Sequence, residues 1–280
     1  MSLLVFQSLW AMENSNPEGT TPPRDEALAR IRTAGFAGVT DHLWQREHAR
    51  ALSREAAAEG LLIEGQCFPA TIDDLQPTLE HAAESGQCRH ITIQADFRTR
   101  DLQQATAILE GWQRLAEQAP CPVLLETHRN RITDDLFFTL DLLRELPDLR
   151  LVGDLSHYVA GHEIALAWPD TPGVDLSIEQ LQQVMQHCHA WHGRVASCEQ
   201  VQIPISFAQH RPWLEAFRQL WQYGFAVWRA RAAPGEDMVF TCELGTVPYA
   251  ITGPDGLDIT DRWAESLQLK ALAEEIWSVA

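Results

Sequence analysis

The sequence predicts an α/β protein folded as a (β/α)8 barrel. Eight short aliphatic runs alternate with helix-forming segments, the pattern of repeated β-α units. The chain has 280 residues, close to the ~250 that eight such units take as one domain. No G-x-G-x-x-G follows the first run, where an open dinucleotide-binding sheet would need it.

The expected strands, in order, are "LLVFQSL" (3–9), "GFAGVTD" (35–41), "LLIEGQC" (61–67), "RHITIQA" (89–95), "PVLLE" (122–126), "LRLVGD" (149–154), "CHAWHGR" (188–194) and "DMVFTCE" (237–243). Between them lie stretches rich in Ala, Leu, Glu, Gln and Arg, among them 25–34, 46–60 and 101–118. Gly35, Gly60 and Gly86 stand where helices should end, positions that favour a left-handed residue. Two connections exceed the usual ~2–6 residues, 156–177 and 195–209. Both leave from the C-terminal ends of strands, so a lid over that face is expected. Residues 260–278 read as a closing C-terminal helix, and the absence of any repeat or linker makes 1–280 a single domain.

With 39 acidic and 21 basic residues the formal charge is -18, which repels phosphate backbones and anionic bilayers and argues against nucleic acid or membrane partners. Lys270, in the C-terminal segment, is the sole lysine, so Schiff-base and pyridoxal chemistry drop out unless it folds back to the site. The six cysteines form no C-x-x-C pair and read as reduced core thiols. The start "MSLLVFQSLW" lacks a signal-peptide pattern, and no apolar stretch approaches membrane-spanning length. A soluble cytoplasmic protein is expected.

Glu126, Asp154, His192 and Glu243 fall at or near the ends of the fifth to eighth strands. Adjacent strands lie ~4.8 Å apart, so these side chains can converge on one ion. Each alone has another explanation. Glu126 could pair with Arg129 or Arg131, Asp154 could cap a turn through "DLS", His192 could be a core histidine, and Glu243 could bond the amides of "LGT". Together, three carboxylates and an imidazole suit one hard or borderline divalent ion, Mn²⁺, Mg²⁺ or Co²⁺ ahead of Zn²⁺, and leave it open to substrate oxygens. His157 follows Asp154 in a D-x-x-H spacing and can reach back over the site, or be a loop histidine. Arg194, two residues beyond His192, faces the same side of its strand and can hold a substrate oxygen, or anchor a lid.

In "LLETH", "GDLSHY", "HAWHGR" and "CELG" the chain resembles the xylose isomerase-like TIM barrels, a superfamily of sugar isomerases, ketose epimerases and related dehydratases. The resemblance implies that Glu126, Asp154, His192 and Glu243 bind a divalent metal (Mn, Mg, Co or Zn), that Glu126 and Glu243 move the proton, and that His157 and Arg194 hold substrate. The implied reaction is isomerisation or epimerisation of a small sugar, sugar acid or hydroxy-keto compound through an enediolate. Barrels of this kind are often dimers or tetramers, so a homo-oligomer is implied too.

Many ketose epimerases carry a second acidic residue shortly after the fifth-strand glutamate, where this chain has Thr127, His128, Arg129, Asn130 and Arg131. That departure points to an anionic substrate held by Arg129, Arg131 or Arg194. Trp10 and Trp191 are candidates for an apolar wall against a sugar face. A dehydratase beginning with the same proton abstraction is the alternative reading. An apurinic endonuclease-like hydrolase, using His162, His189 or His210 as extra ligands, and a non-catalytic sugar-binding barrel stand behind it.

Overall fold

Eight parallel strands close into a barrel in the computed structural model, which describes residues 1–280 except Pro17. The strands follow chain order: β1 (Leu3–Ser8), β2 (Gly38–His42), β3 (Leu62–Cys67), β4 (Cys88–Ile93), β5 (Val123–Glu126), β6 (Leu151–Gly153), β7 (Cys188–Gly193) and β8 (Met238–Cys242). Pairing of β1 with both β2 and β8 shuts the ring. The helices are α1 (Arg24–Thr33), α2 (Arg46–Ala58), α3 (Gln76–Ser85), α4 (Leu102–Ala116), α5 (Leu136–Glu145), α6 (Ser156–Gly161), α7 (Val174–Met185), α8 (Arg211–Arg231) and α9 (Arg262–Val279).

All eight expected strands form, with shifted ends. The second begins at Gly38 because Gly35 turns the chain out of α1 at φ +76° and spends the intervening residues on that turn. Gly60 and Gly86 occupy the same left-handed region at φ +67° and +65°, as expected of residues that end helices. Asp101, Asp135 and Asp261 cap α4, α5 and α9 by accepting backbone N–H bonds in the first turn.

Period-two alternation splits the strand side chains into two cores. Outward-facing Val5, Ile63, Ile91, Leu125, Leu151, Trp191 and Phe240 pack under the helices in the main hydrophobic cluster. Inward-facing Phe6, Leu124, Val152, Ala190 and Val239 form a separate apolar plug, with Leu4 and Leu62 against it. One residue pair further along each strand the interior turns polar: Glu64, Thr92, Glu126, Asp154, His192 and Thr241 are all buried. The C-terminal end of the barrel is therefore where this sequence places its buried charge.

Neither long connection lines the mouth of the barrel. Residues 156–161 fold at once into α6, with His157, Tyr158 and Val159 buried, and Val195, Ala196, Ile203 and Ile205 are core residues. Their apolar side chains draw both segments into the body of the protein. The connection after β1 lines the mouth instead, through Leu9, Trp10, Met12 and Thr21, together with Arg24 at the start of α1.

Lys270 pairs with Glu274 on α9 and does not line the mouth of the barrel. All six cysteines are free; four are buried, whereas Cys88 and Cys121 are half-buried with sulfurs 3.6 Å apart. Among the described residues no helix is long and apolar enough to cross a membrane.

Candidate metal centre

The ends of β5 to β8 bring Glu126, Asp154, His192 and Glu243 together: one ligand atom from each lies within 4.8 Å of every other. Two donors ~2.1 Å from a shared ion can be at most about 4.2 Å apart, so a small contraction would seat a cation. Glu126 and Asp154 are locked by Thr127, whose hydroxyl donates to the Asp154 carbonyl and accepts from the Asp154 N–H, both at 2.9 Å. Thr133 Oγ1 donates to the Glu126 carbonyl at 2.6 Å. Asp154 does cap the turn into α6, accepting from Ser156 N and Oγ, but with Oδ1 alone; Oδ2 faces Arg194 Nε at 3.2 Å.

His192 Nδ1 stands 3.3 Å from Glu126 Oε1 and 3.0 Å from Glu243 Oε2. Its Nε2 meets Glu64 Oε1 at 2.7 Å. Glu64, on β3, is fully buried and also accepts from the hydroxyls of Thr92 and Thr241, each at 2.5 Å, with His90 Nε2 at 3.4 Å. A carboxylate on the far nitrogen of a metal-binding histidine fixes ring and tautomer, the usual arrangement behind such ligands. The sequence reading missed Glu64. Its signal was a carboxylate inside the apolar run "LLIEGQC", the same anomaly that marks Glu126 in "PVLLE".

Burial works against every charge here, and the signs show what the site needs. Burial, together with the carboxylates of Glu243 and Glu64, holds the Glu126 carboxyl above its usual range despite His192. Asp154 is likewise raised by burial against the pull of Arg194. Burial opposes the Glu243 charge too, but His192 and Arg194 outweigh it and hold the carboxyl at about 2. For His192, burial alone would lower the pKa; Glu243, Glu64 and Glu126 reverse that and push it well above normal. At an effective dielectric of ~20, two carboxylates about 4 Å apart repel by ~4 kcal/mol, so positive charge must sit among them.

A divalent cation fits this donor set. Glu126 Oε2 is buried with no hydrogen-bond partner, a loss of roughly 1–3 kcal/mol that a metal bond would recover. His192 offers Nδ1 toward two carboxylates while Glu64 holds the other nitrogen. Arg194 reaches in from above, with Nη2 2.7 Å from Glu243 Oε2 and Nη1 3.2 Å from Gln202 Oε1. Gln202 is in turn fastened to both the N–H and the carbonyl of Gly245.

A cavity of about 520 Å³ opens over the centre, with Glu243, Arg194, Gln66 and Gln94 toward the barrel. Its walls include Trp10, Phe68 and Tyr249, and Arg131 and His128 also border it. Trp10 rests on Gly245 so closely that a Cβ there would lie 2.1 Å from the indole, so only glycine fits. Arg129 lies over the Tyr249 ring, 4.9 Å from its centroid. Arg131 pairs with the exposed Asp96, yet its Nε is buried without a partner. His157 is fully buried, 3.5 Å from Asp154 Oδ2, with both ring nitrogens unbonded. Burial holds His157 well below the ordinary imidazole range, and His128 at about 4.

Trp191 is the exception among the expected residues. On β7 it alternates with His192 and points outward, fully buried against Phe225 and the backbone of Gly224 on α8. It cannot meet a substrate in this cavity. The extra histidines do not join the centre either: His162 accepts the Leu136 N–H at the start of α5, His210 sits against the Pro204 carbonyl, and neither it nor His189 belongs to a metal-type cluster among the described residues.

No protein-family model matches the chain, and no curated protein is significantly similar to it in sequence. Similarity to solved structures is extensive. A xylose isomerase-like TIM barrel protein from Mycobacterium smegmatis, in complex with magnesium, superposes with a TM-score of 0.60 at 13% identity, covering 98% of this chain and 97% of that one. D-allulose 3-epimerase from Methylomonas sp., in complex with D-allulose, gives 0.57 at 10% identity, covering 99% and 96%. A family 2 AP endonuclease from Brucella melitensis gives 0.51 at 13% identity, covering 86% and 92%.

Proposed function

For a chain with the fold of the xylose isomerase-like TIM barrels, we propose a divalent-metal-dependent isomerase or epimerase of a small anionic sugar or hydroxy-keto compound. The observation that carries this reading is the convergence of Glu126, Asp154, His192 and Glu243 beneath an open cavity, with Glu126 Oε2 left unbonded. The magnesium complex and the bound D-allulose of two structurally similar proteins support it.

When bound, the cation supplies Lewis acidity that polarises the substrate carbonyl. Glu243 borders the cavity and is placed to take the proton from the carbon beside that carbonyl, the C–H electrons passing into the C=C of an enediolate. Glu126, on the other side of His192 Nδ1 and protonated beforehand, then gives up its proton and is left a carboxylate while Glu243 carries the proton taken from the substrate. Delivery to the former carbonyl carbon, with the hydroxyl proton of the first carbon passing to the former carbonyl oxygen, isomerises the substrate, and delivery to the opposite face of the first carbon epimerises it. Arg194, braced by Asp154 and Gln202, holds the developing oxyanion. Trp10 and Tyr249 supply apolar surface. The buried, partnerless Nε of Arg131 makes that guanidinium the receptor for the substrate's anionic group.

The test is α-proton exchange. Manganese-loaded protein is incubated in deuterated solvent with hydroxy-keto acids, sugar acids and phosphorylated sugars, followed by NMR. Exchange in at least one class, lost in Glu243→Gln, is expected; no exchange in any class by the metal-loaded protein overturns the reading.

A further inference from the structure

We propose that Cys88 and Cys121 form a reversible disulfide when the protein meets a peroxide, a modification site at the end of the barrel opposite the candidate metal centre. It does not rest on the reading of that centre. Cys88 opens β4 and Cys121 lies two residues before β5, so both stand at the N-terminal ends of neighbouring parallel strands, whereas Glu126 closes β5.

Distance and exposure single out this pair. The two sulfurs are 3.6 Å apart, and both residues are half-buried, open to a small oxidant. Neighbouring strands run about 4.8 Å apart, inside the ~4.4–6.8 Å between Cα atoms that a disulfide spans. Rotation of the two side chains, rather than a shift of the strands, can therefore close the gap to a bond of ~2.05 Å. The other four cysteines are buried and meet oxygens, not each other. Cys67 donates to the Thr92 carbonyl, Cys188 to that of Val184, Cys242 to that of Ser266, and Cys198 to the Glu199 carboxylate.

The two thiols divide the chemistry. The hydrogen bond with Cys88 and the nearby Arg89 guanidinium hold the Cys121 thiol below its ordinary range, while that same bond and burial push Cys88 well above it. Cys121 is therefore the thiolate. Its sulfur attacks one oxygen of hydrogen peroxide and the O–O bond breaks. The departing hydroxide takes up the proton that Cys121 released, leaving one water and a Cys121 sulfenic acid. The Cys88 sulfur then attacks Cys121 Sγ: the S–S bond forms, the S–O bond breaks, and the leaving hydroxide takes the Cys88 proton as a second water. Each sulfur gives up one electron, and the peroxide is reduced to two waters. Burial pushes the Cys67 and Cys188 thiols up to about 12, which keeps them out of this reaction. The bond closes residues 88–121 into a covalent ring around α4, which restricts the unfolded chain and raises the Tm.

The experiment is hydrogen peroxide treatment of the full chain, reduced and freed of metal with a chelator, then alkylation under denaturing conditions, intact mass and peptide mapping. Wild type, Cys88→Ser and Cys121→Ser are compared, with circular dichroism confirming each fold. Expected in wild type are the loss of two hydrogens per chain, a cross-linked peptide pair holding Cys88 and Cys121, return of both thiols with dithiothreitol, and a higher Tm in the oxidised form. Cys88→Ser should instead accumulate a Cys121 sulfenic acid trapped by dimedone. Cys121→Ser should react with peroxide about tenfold or more slowly, having lost the thiolate. Free thiols at both positions in treated wild type overturn the proposal, as does a bond between any other cysteines or passage of Cys121 to sulfinic acid without a cross-link. Because no metal is present, neither result bears on the candidate metal centre.

Discussion

Strands β5 to β8 and strands β3 and β4 furnish opposite sides of one barrel mouth with different chemistry. The first group delivers a carboxylate or imidazole from every strand: Glu126, Asp154, His192 and Glu243. The second supplies Glu64, Gln66, His90, Thr92 and Gln94, all buried, of which Glu64 and Thr92 reach His192 directly or through one bond. One side gathers the carboxylates of the proposed centre; the other orients its imidazole. The proposed metal centre is thus asymmetric, and damage to its two sides should differ in size.

The largest effect is expected on the ligand side. Glu126→Gln should slow conversion of substrate to product by about 10²–10⁴ in kcat, the usual contribution of a positioned acid or base, in an NMR turnover assay with saturating metal. Next is the outward face of the same strands. Trp191→Ala should cost about 3–5 kcal/mol in urea unfolding, because it empties a fully buried site, while the metal affinity of the folded fraction is unchanged. A change in substrate KM at constant metal affinity would instead bring Trp191 back as a cavity residue. On the supporting side, Glu64→Gln keeps shape and loses the charge facing His192, so metal affinity should fall about 10–100-fold by titration calorimetry. Equal affinity in that variant would erase the distinction between the two sides. The smallest effect belongs to the cavity wall: Arg131→Ala should raise KM for a sugar acid roughly tenfold or more, the loss of a charge-assisted bond, and leave a neutral ketose unaffected.

These sides were unequally legible in the sequence. The eight strands stood out because aliphatic runs are punctuated by glycine and helix-forming stretches, and the proposed ligand residues because four successive runs each carry one polar group at or near the end. Glu64 escaped because it lies inside its run, with Gly65 and Gln66 after it, and no local feature announces that Thr92, Thr241 and His192 meet it across the barrel. Only the ring closure supplies that proximity. Trp191 was misplaced for a simpler reason: adjacent residues of a strand face opposite ways, and His192 takes the inward position. Connection length suggested a lid, but the side chains within it decide where it packs, and Val195, Ala196, Ile203 and Ile205 are core residues.

The most direct measurement is metal content by elemental analysis of the purified protein and its Glu243→Gln variant, each after incubation with Mn²⁺ and dialysis. At least one divalent ion per wild-type chain, with at least one fewer in the variant, is the predicted result. Metal-free wild type, or equal occupancy in the two proteins, would contradict a centre built on Glu126, Asp154, His192 and Glu243.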